Sequence, residues 1–236
     1  MLIEYKHVDV YQEVQEVLTD VTFSIEEGEF VYIIGKVGSG KSSLIKTLYG
    51  ELPIHSGEAT VMEFDMSTLK RKHLPNLRKK LGVIFQDFQL LTDRSVDANL
   101  RFVLKATGWK DKQEINNRIA EVLELVGMST KGYKLPSELS GGEQQRIAIA
   151  RSILNYPKLI LADEPTGNLD SETSKQITEL LQKIVIEQGA TVVMITHNLN
   201  LLDMFPGRVF VCRNKALKEI QYETLSVEEQ EMNEQA

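Results

Sequence analysis

Short apolar runs alternate with helical patterns along this 236-residue chain, the order expected of a parallel sheet with helices on its faces. Residues 2–8 and 21–25 read as early strands. A Glu26-Glu27-Gly28-Glu29 turn leads into Phe30–Ile34, which is apolar and β-branched and ends at Gly35. A helix is expected from near Lys41, because Leu44, Ile45 and Leu48 recur at helical spacing. Residues 81–85 read as another strand, while 158–162 and 190–195 have the continuous apolar character of central parallel strands. Between these last two, Ile177, Leu180, Leu181, Ile184 and Val185 fall on one helical face, with Asp170 as N-cap and Gly189 as stop. From about 87 to 155 helical periodicity takes over, as in Ile115, Ile119, Val122 and Val126, and strand signals vanish.

The pattern leaves no apolar run near the roughly 20 residues that a membrane-spanning helix needs. The opening Met-Leu-Ile-Glu-Tyr-Lys has no basic region followed by an apolar one, so no signal peptide is expected. Action at a membrane would therefore require a partner. The single cysteine, Cys212, excludes an intrachain disulfide and a cysteine metal site, fits a reducing cytoplasm and reads as strand filler. A net charge of −7 argues against a broad nucleic-acid-binding face. The acid gathers in Glu223, Glu228, Glu229, Glu231 and Glu234, which reads as a solvated tail over 223–236, with a docking segment as the alternative.

The strongest chemical signal is Gly35-Lys36-Val37-Gly38-Ser39-Gly40-Lys41-Ser42, followed by Ser43. It fits a phosphate-binding loop, and strand before and helix after supply the required context. Glycines let the backbone wrap an anion, and the helix N-terminus adds positive potential. Lys41 is suited to reach the β- and γ-phosphates, and the Ser42 hydroxyl is a hard ligand for Mg²⁺. The strand before Asp163-Glu164 ends in two carboxylates, a costly arrangement unless they are used. Asp163 is placed for the Mg²⁺ shell, and Glu164 for orienting and deprotonating a water. Together these motifs indicate a P-loop NTPase.

Leu139-Ser140-Gly141-Gly142-Glu143-Gln144 is a second glycine-containing turn opening a helix, and so a second anion site. It resembles the signature sequence of the ABC ATPases. That resemblance spans residues 2–220 and implies an α/β fold of the ABC type: a mixed-sheet core over 1–86 and 156–222, N-terminal antiparallel β strands and an inserted helical subdomain over 87–155. It implies Mg²⁺-dependent ATP hydrolysis by an ATP-dependent homodimer, in which Ser140, Gly141, Gly142 and Glu143 of one protomer close over the γ-phosphate held by the other. It also implies that Gln86 senses Mg²⁺ and the γ-phosphate, that Asp170 belongs to a loop linking the two sites, that His197 is the switch histidine and that Tyr11 stacks on adenine.

Three segments narrow the likeness: residues 85–96, 139–146 and 162–170 resemble the cell-division branch of the family, the FtsE group. This implies an FtsX-like integral membrane partner and a cytoplasmic location at the inner face of the membrane, with membrane contact through the partner only. Lipoprotein-release and macrolide-export ATPases are the alternative, and an ABC ATPase without a membrane partner is a second. Lys36-Val37 and Asn198 depart from the usual pattern without touching a catalytic position. A coupling helix of the partner is expected to dock on residues 88–100, through Leu90, Leu91 and Val96 beside Asp93 and Arg94. The clusters at 70–73 and 78–80 read as a solvated face or a surface for anionic lipid heads, and Trp109 as a packing or partner-facing residue.

Overall fold

A computed structural model describes residues 1–221. The acidic tail expected at 223–236 lies outside them. Strands β1 (Ile3–Gln12), β2 (Gln15–Ile25) and β3 (Phe30–Ile34) precede helix α1 (Lys41–Leu48). Strands β4 (Glu58–Val61) and β5 (Phe64–Asp65), helix α2 (Leu74–Lys79) and strand β6 (Leu81–Ile84) follow. Three helices come next, α3 (Val96–Ala106), α4 (Lys112–Leu125) and α5 (Gly141–Ser152), with no strand between β6 and β7 (Leu159–Asp163) among the described residues. The chain closes with α6 (Ser171–Gln188), β8 (Thr191–Ile195), α7 (Asn200–Met204), β9 (Arg208–Arg213) and β10 (Ala216–Ile220).

Two sheets result. An antiparallel sheet runs β2-β1-β4-β5, and a six-stranded sheet runs β10-β9-β3-β8-β7-β6. In the second, β9, β3, β8, β7 and β6 are parallel, and β10 is an antiparallel edge. The period of two along each central strand splits the core. Val31, Ile33, Leu159, Leu161, Val193 and Ile195 face α1 and the antiparallel sheet, packing with Leu44, Ile45 and Leu48. Tyr32, Ile34, Ile160, Ala162, Val192 and Met194 face the opposite side, where α3 to α6 deliver Leu100, Ile119, Ile147 and Leu181. Both faces of the sheet are covered, which explains why its strands read as unbroken apolar runs.

The elements start where local chemistry allows. Asp170 accepts a hydrogen bond from the Thr173 amide and caps α6, and Gly189 at φ 64 ends it. The early strands are longer than the apolar runs suggest, because β1 and β2 stay paired through the buried Val10↔Leu18 pair and on to Tyr11↔Glu16 and Gln12↔Gln15. The segment at 78–80 is engaged in the fold: Arg78 donates to the Tyr49 and Gly50 carbonyls, and Lys80 pairs with Glu63. Trp109 takes the packing alternative, its Nε1 donating to Asn155 Oδ1 at 3.0 Å.

Candidate active site

Four neighbouring parallel strands, β3, β8, β7 and β6, end on one edge of the sheet, where open α/β sheets bind ligands. At or just after their ends stand the phosphate loop, His197, Asp163-Glu164 and Gln86 respectively. Strand parity then aims the side chains. Asp163 shares the parity of Leu159 and Leu161, so its carboxylate points to the α1 side of the sheet. There Ser42 Oγ donates to Asp163 Oδ1 at 3.0 Å, joining residues 121 apart in sequence.

The loop itself wraps closely. At Gly35 φ is 142, and a Cβ there would stand 2.4 Å from the Cys212 carbonyl oxygen, so β9 excludes any side chain. Lys41 is buried and donates to the Gly35 and Lys36 carbonyls at 2.6 and 2.9 Å. Its ammonium is held below its ordinary pKa by burial, against the pull of Glu164. Lys36, Val37 and Gly38 form an exposed tip, while Ser39 Oγ is buried without a hydrogen-bond partner. A buried loop hydroxyl and an ammonium resting on carbonyls suit the arrival of an anion. Ser43 Oγ turns the other way, donating to Gln12 Oε1 at 3.3 Å. Tyr11, the neighbour of Gln12 on β1, has its ring edge-on to His55, and its hydroxyl donates to Glu16.

Across the site, burial raises the Asp163 carboxyl above the usual range, partly offset by Ser42, and the Glu164 charge adds to the rise. Glu164 sits in the left-handed region at φ 48, a conformation costing about 1–3 kcal/mol for a non-glycine residue. Its Oε2 lies 3.5 Å from His197 Nδ1. Gly167 permits the close approach of Gln86. A Cβ at 167 would stand 3.1 Å from Gln86 Nε2 and 3.4 Å from Glu164 Oε2. Asn168 Nδ2 donates to the Gln86 carbonyl at 3.2 Å. Gln86 and Asp163 line one open cleft with Asn168 and Lys46. Ser42, Asp163 and Gln86 together fit Mg²⁺, which takes few protein oxygens and relies on water and phosphate for the rest.

The signature residues do not join this cluster. Ser140 caps α5 in a reciprocal box with Glu143, whose carboxylate also pairs with Lys131 at 3.1 Å. A Cβ at Gly141 would meet Leu169 and Phe88, and one at Gly142 would meet Thr173 at 2.6 Å. Asp170 spends both carboxylate oxygens on Thr173, one on its amide and one on its hydroxyl.

The expected docking surface is narrower than its sequence implies. Val96 is wholly buried and Leu90 packs on the core, because Ser95 caps α3 and turns Val96 inward. Leu91 is partly exposed, and Phe102, on α3, lies under the Arg94 guanidinium. Sequence reasoning also missed Asn99 and Arg151. The buried Asn99 amide bonds to both polar groups of Leu91 and to the Arg94 and Ser95 carbonyls. Arg151 donates to the Phe88 and Gln89 carbonyls. Polar residues inside apolar helical faces were the only signal available for either.

A family profile for ABC transporters matches residues 18–167. The chain belongs to the ABC transporter family. It is 45% identical over 197 residues to the cell division ATP-binding protein FtsE of Streptococcus pneumoniae strain D39, covering 84% of this chain and 85% of that one. To the FtsE protein of Mycobacterium tuberculosis strain H37Rv it is 47% identical over 192 residues, with coverages of 81% and 83%. The methionine import ATP-binding protein MetN 1 of Acinetobacter baylyi is 42% identical, covering 82% of this chain and 54% of its own length. Among solved structures, the post-hydrolysis dimer of the ATP-binding cassette MJ0796 bound to ADP and phosphate matches with TM-score 0.82 and 32% identity, covering 93% and 98% of the two chains. A cbiO1 cassette from Clostridium perfringens matches with TM-score 0.87 and 27% identity, covering 97% and 92%. The fold is thus that of an ABC ATPase cassette, with a mixed sheet and helices on both faces.

Proposed function

We propose that this ABC ATPase subunit dimerises on ATP, hydrolyses it and drives conformational change in a separate FtsX-like membrane protein during cell division. The Ser42–Asp163 hydrogen bond carries the catalytic reading, because it joins the phosphate loop to the acidic strand end across 121 residues of sequence. The FtsE relatives, matched over more than four-fifths of both chains, support the cell-division role. The dimeric ADP-bound neighbour supports assembly in pairs.

In this reading Gly35 to Ser43 cradle the phosphates, Lys41 exchanges loop carbonyls for phosphate oxygens, and Tyr11 stacks on adenine. Ser42, Asp163 and Gln86 hold Mg²⁺, which when bound offsets charge on the β- and γ-phosphates. Glu164 orients the attacking water and takes its proton, and His197, 3.5 Å away, steadies that carboxylate and the γ-phosphate. Residues 140–143 and Asp170 act at the partner protomer's site. The core over 1–86 and 156–222 and the helical subdomain over 87–155 move as two parts of one machine. Among the described residues no helix is long and apolar enough to cross a membrane, and the reading places the chain at the inner membrane face through its partner.

Replacing Glu164 tests the chemistry. Glu164→Gln should keep ATP binding and lower turnover by roughly 10²–10⁴-fold, the usual worth of a positioned base. Near wild-type turnover would remove Glu164 from that role. The methionine-import relatives show that a similar cassette serves a protein named for import, and transport-type ATPases, including exporters, are the second reading. Purification from membranes separates the two. An FtsX-like four-helix protein with a large extracytoplasmic domain fits the first reading, and a transport permease fits the second.

A further inference from the structure

Gln86 is held within a short turn whose backbone does not relax by itself. The Phe88 amide bonds to the Phe85 carbonyl at 3.3 Å, and the Gln89 amide to the Asp87 carbonyl at 2.6 Å. The two residues after Asp87 both lie in the left-handed region, Phe88 at φ 60 and Gln89 at φ 47. Neither is glycine, and consecutive non-glycine residues stay in that region only where their surroundings hold them. The hold comes from the far end of α5. Arg151 Nη2 donates to the Phe88 carbonyl at 2.8 Å, and Nη1 donates to the Gln89 carbonyl. The Arg151 side chain is half-buried, and the Asp87 carboxylate is an opposite charge acting on its guanidinium.

The other end of the same helix begins at the signature turn. Ser140 caps α5, and Glu143 closes the box and pairs with Lys131. A helix of twelve residues spans about 18 Å as one stiff body. Its first turn faces whatever binds the signature, and its last turn grips the backbone two residues beyond Gln86.

We propose that Arg151 is a positioning residue that holds the segment carrying Gln86 in its strained form and ties that segment to the signature turn through α5. The proposal rests on the reading of Gln86 as the γ-phosphate sensor. Movement of the signature turn at one site then resets Gln86 at the other site of the dimer. Arginine suits this because its planar fork serves two neighbouring carbonyls at once, whereas a lysine ammonium offers a point charge without that geometry.

The test compares the full chain with Arg151→Lys and Arg151→Gln. It measures ATP affinity, steady-state hydrolysis, melting temperature and amide hydrogen exchange over residues 85–91. In both variants, exchange over 85–91 should rise about tenfold without ligand while the interior of α6 is unchanged, as for a local opening. ATP affinity should stay within about threefold, while kcat should fall by up to about 10²-fold, the scale of a misplaced positioned group. Arg151→Lys should lie between Arg151→Gln and the parent. Unchanged exchange over 85–91 in both variants would overturn the proposal. So would a uniform rise across all helices with a matching fall in melting temperature for Arg151→Lys, which would mark a general packing role. Raised exchange over 85–91 with unchanged hydrolysis would instead retain the anchor and remove the sensor role of Gln86.

Discussion

Asp163 and Asp170 show how position decides what a carboxylate does. Burial on the α1 side of the sheet pushes the Asp163 carboxyl above its usual range, while hydrogen bonds from Thr173 hold Asp170 below it. The signs are opposite. An acid whose folded pKa is raised loses stability as pH climbs from its unfolded value through its folded one, and the full penalty is present only above both. An acid whose folded pKa is lowered stabilises above its unfolded value and loses this as pH falls through the folded one. Asp163→Asn should therefore raise the melting temperature of the nucleotide-free protein at a pH where the native carboxyl is ionised, because the buried charge is removed. The gain should shrink in acid, where the native carboxyl is protonated, and Mg²⁺-dependent hydrolysis should be lost. Thermal melts of both proteins from neutral to acidic pH check this, and an equal or lower midpoint where that carboxyl is ionised would show that burial does not dominate at Asp163. This residue was legible as a candidate site acid, because an apolar strand ending in two acids is costly. Its direction required the strand parity that pairing with β6 and β8 sets.

At the scale of elements, what could be read from the sequence was what local chemistry dictates. Asp170 and Gly189 bound α6 as their capping preferences predict, and the phosphate loop falls between β3 and α1 because only glycine fits its closest turn. The stretch after Gln86 was misread for the converse reason. Leu90, Leu91 and Val96 look like one apolar surface, yet Ser95 starts a helix between them and Asn99 folds the preceding loop back on itself. Only Leu91 faces out, and Phe102 with Arg94 stacked on it completes the patch. Arg151 was marked only as a polar residue in an apolar helical face, and its partners were not legible, because they are backbone carbonyls 62 and 63 residues away, which carry no residue type. This narrower patch is the expected seat of the membrane partner's cytoplasmic helix. Leu91→Asp with Arg94→Glu should abolish copurification with the membrane protein while ATP binding stays intact, since neither side chain reaches the phosphate loop. Full copurification of the double variant would place the docking surface elsewhere.

The whole molecule gathers one set of motifs and leaves another apart. Parallel pairing of β3, β8, β7 and β6 brings the phosphate loop, His197, Asp163-Glu164 and Gln86 to one sheet edge. The signature turn, by contrast, packs on Phe88, Leu169 and Thr173. In the proposed reading the helix start at Ser140 meets the phosphate held by a partner chain, so that each chain would carry two half-sites and a twofold pair would complete both. This arrangement gives a test that one chain alone cannot pass. Ser140→Arg should leave ATP affinity of the monomer nearly unchanged, because Ser140 lies outside the cluster that holds the nucleotide. It should block ATP-dependent dimerisation, because a large cation would occupy the space of the partner's γ-phosphate. Lys41→Ala should lose nucleotide binding. Mixed in equal amounts, the two defective proteins can form a heterodimer with one intact composite site: the phosphate loop of the Ser140→Arg chain facing the signature of the Lys41→Ala chain. ATP-dependent association or hydrolysis should then reappear in the mixture, measured by light scattering and phosphate release, and be absent from either protein alone. Full hydrolysis by a strictly monomeric Ser140→Arg protein would show that the signature acts within its own chain or not at all.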